Sequence, residues 1–210
     1  MSAHSATPET TESAKATPVG DFLAGCDATP HTQPGSPHAF GDNAVRLHAL
    51  GLVVVPCGGP DGKSPLVTKW QVRRPRAVIA AWAQKFADAN IGVVCGLSGI
   101  VIVDVDKPEL VAEILERFGD TPLMTRTPSG GVHLWYRKLG PVRSGNLRRQ
   151  NLDVDIKADG GLVVTPSSRN PKGVYAFERG TWDDVQRLPP FRQEALAAPP
   201  SNDNNEQRHR

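Results

Sequence analysis

What the chain lacks narrows its class. Its 210 residues hold three cysteines, Cys26, Cys57 and Cys95, with no Cys-x-x-Cys pair among them. That spacing excludes a zinc ribbon and a disulfide framework. No apolar run approaches the roughly 18 residues of a membrane span. The opening Met1-Ser2-Ala3-His4 has no signal-peptide pattern. The expectation is a reduced, cytoplasmic setting with no membrane partner. Excess charge is missing as well: the net value is +2, so a nucleic-acid reading has to rest on local clusters rather than on the whole chain.

Large apolar side chains are scarce at both ends. Residues 1–38 are rich in Ser, Thr, Pro, Ala and Gly, and a similar composition returns near Ala197. Such segments bury too little to offset the entropy of ordering them. The expected organisation is a disordered tail over 1–38, one folded domain over 39–192, and a disordered tail over 193–210.

Within the domain, Asp42 is a candidate N-cap for a helix carrying Ala44, Leu47 and Leu50, with Gly51 as its stop. Residues 52–55 read as a buried strand ending at Pro56. A glycine-rich loop, Cys57 to Pro65, follows. It is not a phosphate-binding P-loop, because Cys57 stands where that motif needs Gly and Pro65 where its helix should begin. Lys63 is either a loop cation for phosphate or a solvated turn lysine. A helix after Pro75 carries Val78, Ile79, Trp82 and Phe86, with Trp82 expected in the core. Residues 91–95 form a strand, and a helix from Pro108 buries Leu110, Val111, Ile114, Leu115 and Phe118 before Gly119. The second half reads as antiparallel strands: residues 123–137 turn at Ser129-Gly130-Gly131, and residues 152–157 are expected to form a hairpin with 162–168 through Gly160-Gly161. Residues 174–177 are a last short strand.

The strongest chemical signal is Gly99-Ile-Val-Ile-Val-Asp104-Val-Asp106. Alternation along a strand puts both carboxylates on one face, about 6–7 Å apart. An apolar strand ending in two like charges favours a cation between them, and a hard divalent ion accepts carboxylate oxygens. The plain alternative is a strand end that caps the next helix. Ser129/His133 and Asp155/Lys157 are two further polar clusters on strands, and Asp153 shares the face of Asp155. Together these groups offer what two-metal phosphoryl transfer needs, carboxylates for ions and donors for phosphates. Two basic stretches add to this. Lys69, Arg73, Arg74 and Arg76 form one; Arg126, Arg137, Lys138, Arg143, Arg148 and Arg149 form the other, in a segment with no acidic residue between Thr121 and Leu152. They are either phosphate-backbone contacts or ordinary surface.

The ordered set Asp104-x-Asp106, Thr127-Pro-Ser129-Gly130-Gly131-x-His133, and Asp155-Ile-Lys157-x-x-Gly160-Gly-x-Val-Val-x-Pro166-Ser167-Ser168 resembles the archaeo-eukaryotic primase superfamily. The likeness is greatest to its bifunctional primase–polymerase (prim-pol) branch and covers roughly residues 42–178. It implies an α+β fold, an RRM-like antiparallel palm packed with a smaller α/β unit. It implies template-directed nucleotidyl transfer from dNTP or NTP on single-stranded or primed DNA, in replication of a plasmid, phage or mobile element. Asp104, Asp106 and Asp155 would bind the catalytic Mg²⁺ or Mn²⁺. Ser129, Gly130, Gly131 and His133 would contact the nucleotide phosphates, with Lys63, Arg126 and Lys157 as further triphosphate or template contacts. Relatives often carry a helicase, a zinc-binding insert or a helical module. Here there is neither the length for a helicase nor a zinc-type Cys/His cluster, so the expectation is that the chain extends primers or depends on a separate helicase or replication initiator. Two other readings stand beside this one: a metal-dependent Asp-x-Asp transferase, and a replication accessory that binds DNA or nucleotide without catalysis. A haloacid-dehalogenase-type phosphatase fits less well, since Pro108 stands where that pattern has Thr.

Overall fold

The structure is a computed structural model and describes residues 36–197. The expected tails lie outside the described residues except for 36–38 and 193–197. Those last five residues are held: Gln193–Leu196 is a 3-10 turn, and Arg117 donates to the carbonyls of Ala195 (2.7 Å) and Ala197 (2.8 Å).

In chain order the elements are α1 (Ala39–Ala49), β1 (Val54–Gly58), β2 (Ser64–Pro65), α2 (Arg76–Lys85), β3 (Asn90–Val94), β4 (Ile100–Val105), α3 (Val111–Phe118), β5 (Met124–Arg126), β6 (Val132–Arg137), β7 (Gly145–Asn146), β8 (Val154–Lys157), β9 (Leu162–Val164), β10 (Arg169–Asn170), β11 (Gly173–Val174) and β12 (Ala176–Arg179). The class is α+β with antiparallel sheets. A six-stranded sheet runs β12-β5-β6-β4-β8-β7, a four-stranded sheet runs β2-β1-β3-β9, and β10-β11 form a small ribbon. Among the described residues no helix is long and apolar enough to cross a membrane.

Alternation decides which face each strand buries. Val101, Val103 and Val105 of β4, Val132, Leu134 and Tyr136 of β6, and Val154 and Ile156 of β8 pack against Ile114 and Phe118 of α3. On the opposite face Ile100, Ile102 and Trp135 join Phe40 and Leu47 of α1 and Ile79 of α2. Trp135 is fully buried, meets Trp182 edge-on at 5.7 Å between ring centroids, and donates its indole N–H to Thr125 Oγ1 (3.1 Å). Its polar handle is therefore satisfied inside the core.

Several sequence expectations change here. The hairpin across Gly160-Gly161 does not form. β8 pairs with β4, whereas β9 leaves for the other sheet and pairs with β3. Since β3 runs into β4 and β8 into β9, the two strand pairs form one ribbon that turns a corner between sheets. Cys95 N–H donates to the Gly161 carbonyl and Gly96 N–H to the Ala158 carbonyl (both 3.0 Å), which stitches the corner together. Side chains are excluded from it: a Cβ on Gly96 would lie 2.7 Å from Asp159 Cα, and one on Gly161 2.9 Å from Ala158 N. Asp159 closes the outside through an ion pair with Lys138 and a hydrogen bond from Val142 N–H (3.0 Å). The strand expected at 52–55 starts at Val54. Asp42 lies in the first turn of α1, whose N-cap is His38. Pro108 opens a 3-10 turn, and α3 proper begins at Val111. Trp82 is only half-buried, with Arg74 stacked 6.0 Å above its ring.

The corner yields a direct test. Gly96→Ala should destabilise the fold by about 1–3 kcal/mol, because backbone rather than a flexible side-chain tip must give way. A urea midpoint equal to wild type would show that the corner adjusts freely.

Candidate active site

The register of the six-stranded sheet sets the site. Thr125 of β5 lies opposite His133 of β6, His133 opposite Asp104 of β4, and Asp104 opposite Asp155 of β8. These residues form one row across the sheet. Residues directly opposite in antiparallel strands have Cβ atoms about 4.5–5.5 Å apart, so three ionisable groups meet on three adjacent strands. Asp104 Oδ1 is 3.5 Å from His133 Nε2. Asp106 follows just past the end of β4, with its N–H donating to the Asp153 carbonyl (3.1 Å).

A cavity of about 180 Å³ opens over the Asp104 and His133 part of this row, and Asp155 is not in its lining. Lys63, Asp104, Asp106, Ser129, His133 and Lys157 line it, with Thr127 and with a wall from Leu162, Val163, Val164 and Tyr175. A larger hollow of about 660 Å³ between the β1–β2 loop, the end of α2 and the β10–β11 ribbon contains none of the candidate residues. Arg126 is not in the cavity: it lies at the end of edge-side strand β5 and pairs with Glu178 at 3.1 Å.

Each loop at the cavity has a local cause. The β5–β6 turn closes through Thr127 N–H to the Gly131 carbonyl (2.8 Å) and Gly130 N–H to the Thr127 carbonyl (3.0 Å). Gly130 has φ +93°, which favours glycine. Gly131 is pressed on β4, where a Cβ would lie 2.8 Å from the Val105 carbonyl oxygen. The Lys63 loop is fixed by buried Asn90. Its Nδ2 donates to the carbonyls of Gly62 (2.9 Å) and Arg169 (2.6 Å), and its Oδ1 accepts from Arg169 N–H (3.0 Å). The Pro166-Ser167-Ser168 segment is structural, since Ser168 Oγ accepts from Ile91 N–H (2.9 Å) and anchors β3.

Charge is unevenly matched. Both oxygens of Asp155 are engaged, Oδ1 by Arg148 Nη1 and Oδ2 by Lys157 Nζ, each at 2.7 Å. Burial pushes this carboxyl up, yet the two cations hold it below its ordinary value. Asp106 has no ion-pair partner among the described residues, and burial followed by the charges of Asp104 and Asp155 pushes it up. Asp153 is drawn away by Lys107 (2.7 Å). His133 is buried, and desolvation pushes its pKa down despite Asp104. Its Nδ1 is buried with no hydrogen-bond partner.

For a divalent ion the donor chemistry fits: Asp104 and Asp106 are hard oxygen donors, and Asp106 has no ion-pair partner among the described residues. Among the described residues, however, no three His, Cys, Asp or Glu side chains are gathered tightly enough to hold a metal. Asp155, opposite Asp104 in the register, has both oxygens paired with Arg148 and Lys157.

Tyr175 and Asn90 are the contributors that residue-level reasoning missed. Tyr175 stands 6.5 Å from His133 between ring centroids, and burial pushes its hydroxyl up to about 12, so it is a neutral donor in the cavity wall. Short alternation in 174–177 gave no sign of that wall. Of the basic stretches, Arg73 donates to the carbonyls of Gly51 (3.2 Å) and Leu97 (2.8 Å), and Arg74 to Lys69 (3.2 Å). These two arginines brace the fold.

If Asp104 contributes to the raised pKa of Asp106, Asp104→Asn should lower the Asp106 midpoint in a carboxyl-carbon NMR titration. An unchanged midpoint would leave burial and the other nearby carboxylates as the cause.

Comparison with curated proteins gives no match. The profile of the bifunctional DNA primase/polymerase N-terminal family matches residues 44–191, a span that contains every residue of the cavity. On that match, across most of its length, the chain belongs to the Prim-Pol family.

Proposed function

We propose that the protein joins nucleotides on a single-stranded or primed DNA template, using the row on β6, β4 and β8 as its catalytic centre. Family membership supplies the coarser statement, nucleotidyl transfer of the DNA primase/polymerase type acting on DNA and nucleotides. The observation that carries the finer one is the register that puts Asp104 beside both His133 and Asp155 under a cavity holding Lys63, Ser129 and Lys157. We read the six-stranded sheet as the palm. In support, β5-β6-β4-β8 are adjacent in that order and α3 links β4 to β5 across one face.

In this reading Asp104, Asp106 and Asp155 hold Mg²⁺ or Mn²⁺, which supplies charge neutralisation and an activated oxygen when bound. The chain's own residues position the substrate. Lys63 and Lys157, both in the cavity lining, meet triphosphate charge, and Ser129 of the Ser129-Gly130-Gly131 turn brings a hydroxyl. Burial holds His133 toward its neutral form, with Nε2 beside Asp104. Most of the catalysis in such chemistry is positioning and electrostatic stabilisation. An Asp-x-Asp transferase gives no role to Ser129 and His133, which share the cavity.

A second reading has one specific observation in its favour. Asp155 is neutralised by two cations, which suits an accessory that binds nucleotide or DNA without turnover. Incorporation of labelled nucleotide on single-stranded DNA, with and without an annealed primer, separates the two. Product is expected with Mg²⁺ or Mn²⁺ and should fall by about a hundredfold or more in Asp104→Ala, with circular dichroism unchanged. Product only with primer would assign initiation to a partner such as a helicase or initiator. Metal-dependent nucleotide binding with no product in any lane would favour the accessory.

A further inference from the structure

The proposed function leaves Arg148 unused, yet it makes one of the shortest charged contacts at the site. It stands on a 3-10 turn, Arg148–Gln150, between β7 and β8. The turn itself is fixed. Leu147 is buried and donates its N–H to the Val154 carbonyl (2.9 Å), and Arg148 N–H donates to Asn146 Oδ1 (3.2 Å). Gln150 accepts from Arg117 (2.6 Å) and donates to the Leu196 carbonyl (3.0 Å). The Arg148 side chain, by contrast, is about half exposed (51%) while the carboxylate it holds is 22% exposed. Only a side-chain rotation is needed to separate them.

We infer that Arg148 is an exchangeable counterion: it occupies Asp155 in the free protein and transfers to substrate phosphate when Asp155 takes a divalent cation. The inference rests on the reading of this site as a nucleotidyl-transfer centre. A divalent cation at Asp155 would sit against the two cations already held there, and the like-charge repulsion is relieved when one of them leaves. Lys157 stands on β8 itself and is less exposed (29%) than Arg148, so it is the less free of the two to leave. Arg148 comes from a surface turn, and its guanidinium forms bidentate contacts with phosphate as readily as with carboxylate. Its departure leaves a mobile cation beside the cavity at the moment a polyanion arrives. Arg148 is a positioning residue for Asp155 and a candidate ligand of the triphosphate.

The test reads binding rather than turnover. Mn²⁺ affinity is measured by electron paramagnetic resonance without nucleotide, and dATP affinity by calorimetry with Mn²⁺ present, for wild type, Arg148→Gln, Arg148→Lys and Arg149→Gln. Arg148→Gln should bind Mn²⁺ about threefold to tenfold more tightly, because the metal no longer competes with a cation, and dATP more weakly by a similar factor. Arg148→Lys should restore part of both. Arg149→Gln removes the same charge one residue away and should change Mn²⁺ affinity less. Tighter metal binding is a sign that loss of a purely structural contact does not give. The inference is overturned if Arg148→Gln binds Mn²⁺ no tighter than wild type, or if Arg149→Gln matches it. Wild type that binds neither Mn²⁺ nor dATP removes the nucleotidyl-transfer reading together with this one. Wild type that binds both, with no change in Arg148→Gln, removes the exchange alone.

Discussion

Asp104 occupies the central region of a six-stranded sheet, with His133 across one ladder and Asp155 across the other. That placement puts two like charges and a buried imidazole on one nearly dry row, an arrangement costly to leave uncompensated. Much of the surroundings can be understood as a response. Arg148 and Lys157 neutralise Asp155, Lys107 draws Asp153 outward, and His133 is kept neutral by burial. Asp106 is left with no partner among the described residues. The polar side chains over the row are not bound to each other, so a cavity rather than a salt-bridge cluster covers them.

Cations elsewhere are divided between two tasks. Arg73, Arg74 and Lys138 are tied to backbone carbonyls or to Asp159 and hold the corner and the loops around it. Lys63, Lys157 and Arg148 are the ones that reach the site. A basic stretch in sequence is thus a mixture, and only the fold separates bracing arginines from those available to a phosphate.

Legibility followed the range of the interaction. β8 could be read from alternation, with Val154 and Ile156 buried and Asp155 and Lys157 on the other side, whereas β4 and β6 are buried on both faces and were legible as apolar runs carrying Asp104 and His133. The Ser129-Gly130-Gly131 turn was visible because only five residues join its strands. The Gly160-Gly161 corner was not: the same two glycines serve a hairpin or a change of sheet, and the choice depends on β3, nearly seventy residues upstream. Tyr175 and the release of Arg126 to Glu178 depend likewise on where β12 lies against β5. Asp155 could not be told from Asp153 by alternation, while the cross-strand register with Asp104 separates them at once.

The bent ribbon has a kinetic side. The half of the site on β5 and β6 closes across a five-residue turn, between Arg126 and Val132. The other half needs Val105 to find Val154 and Val94 to find Leu162, and such distant pairings bear the larger loop-closure entropy. Asp155 is carried on this slow half. Until β8 docks, Asp104 has only His133 of its two cross-strand neighbours. On the proposed function, activity should therefore appear only after the last long-range strand pair has formed.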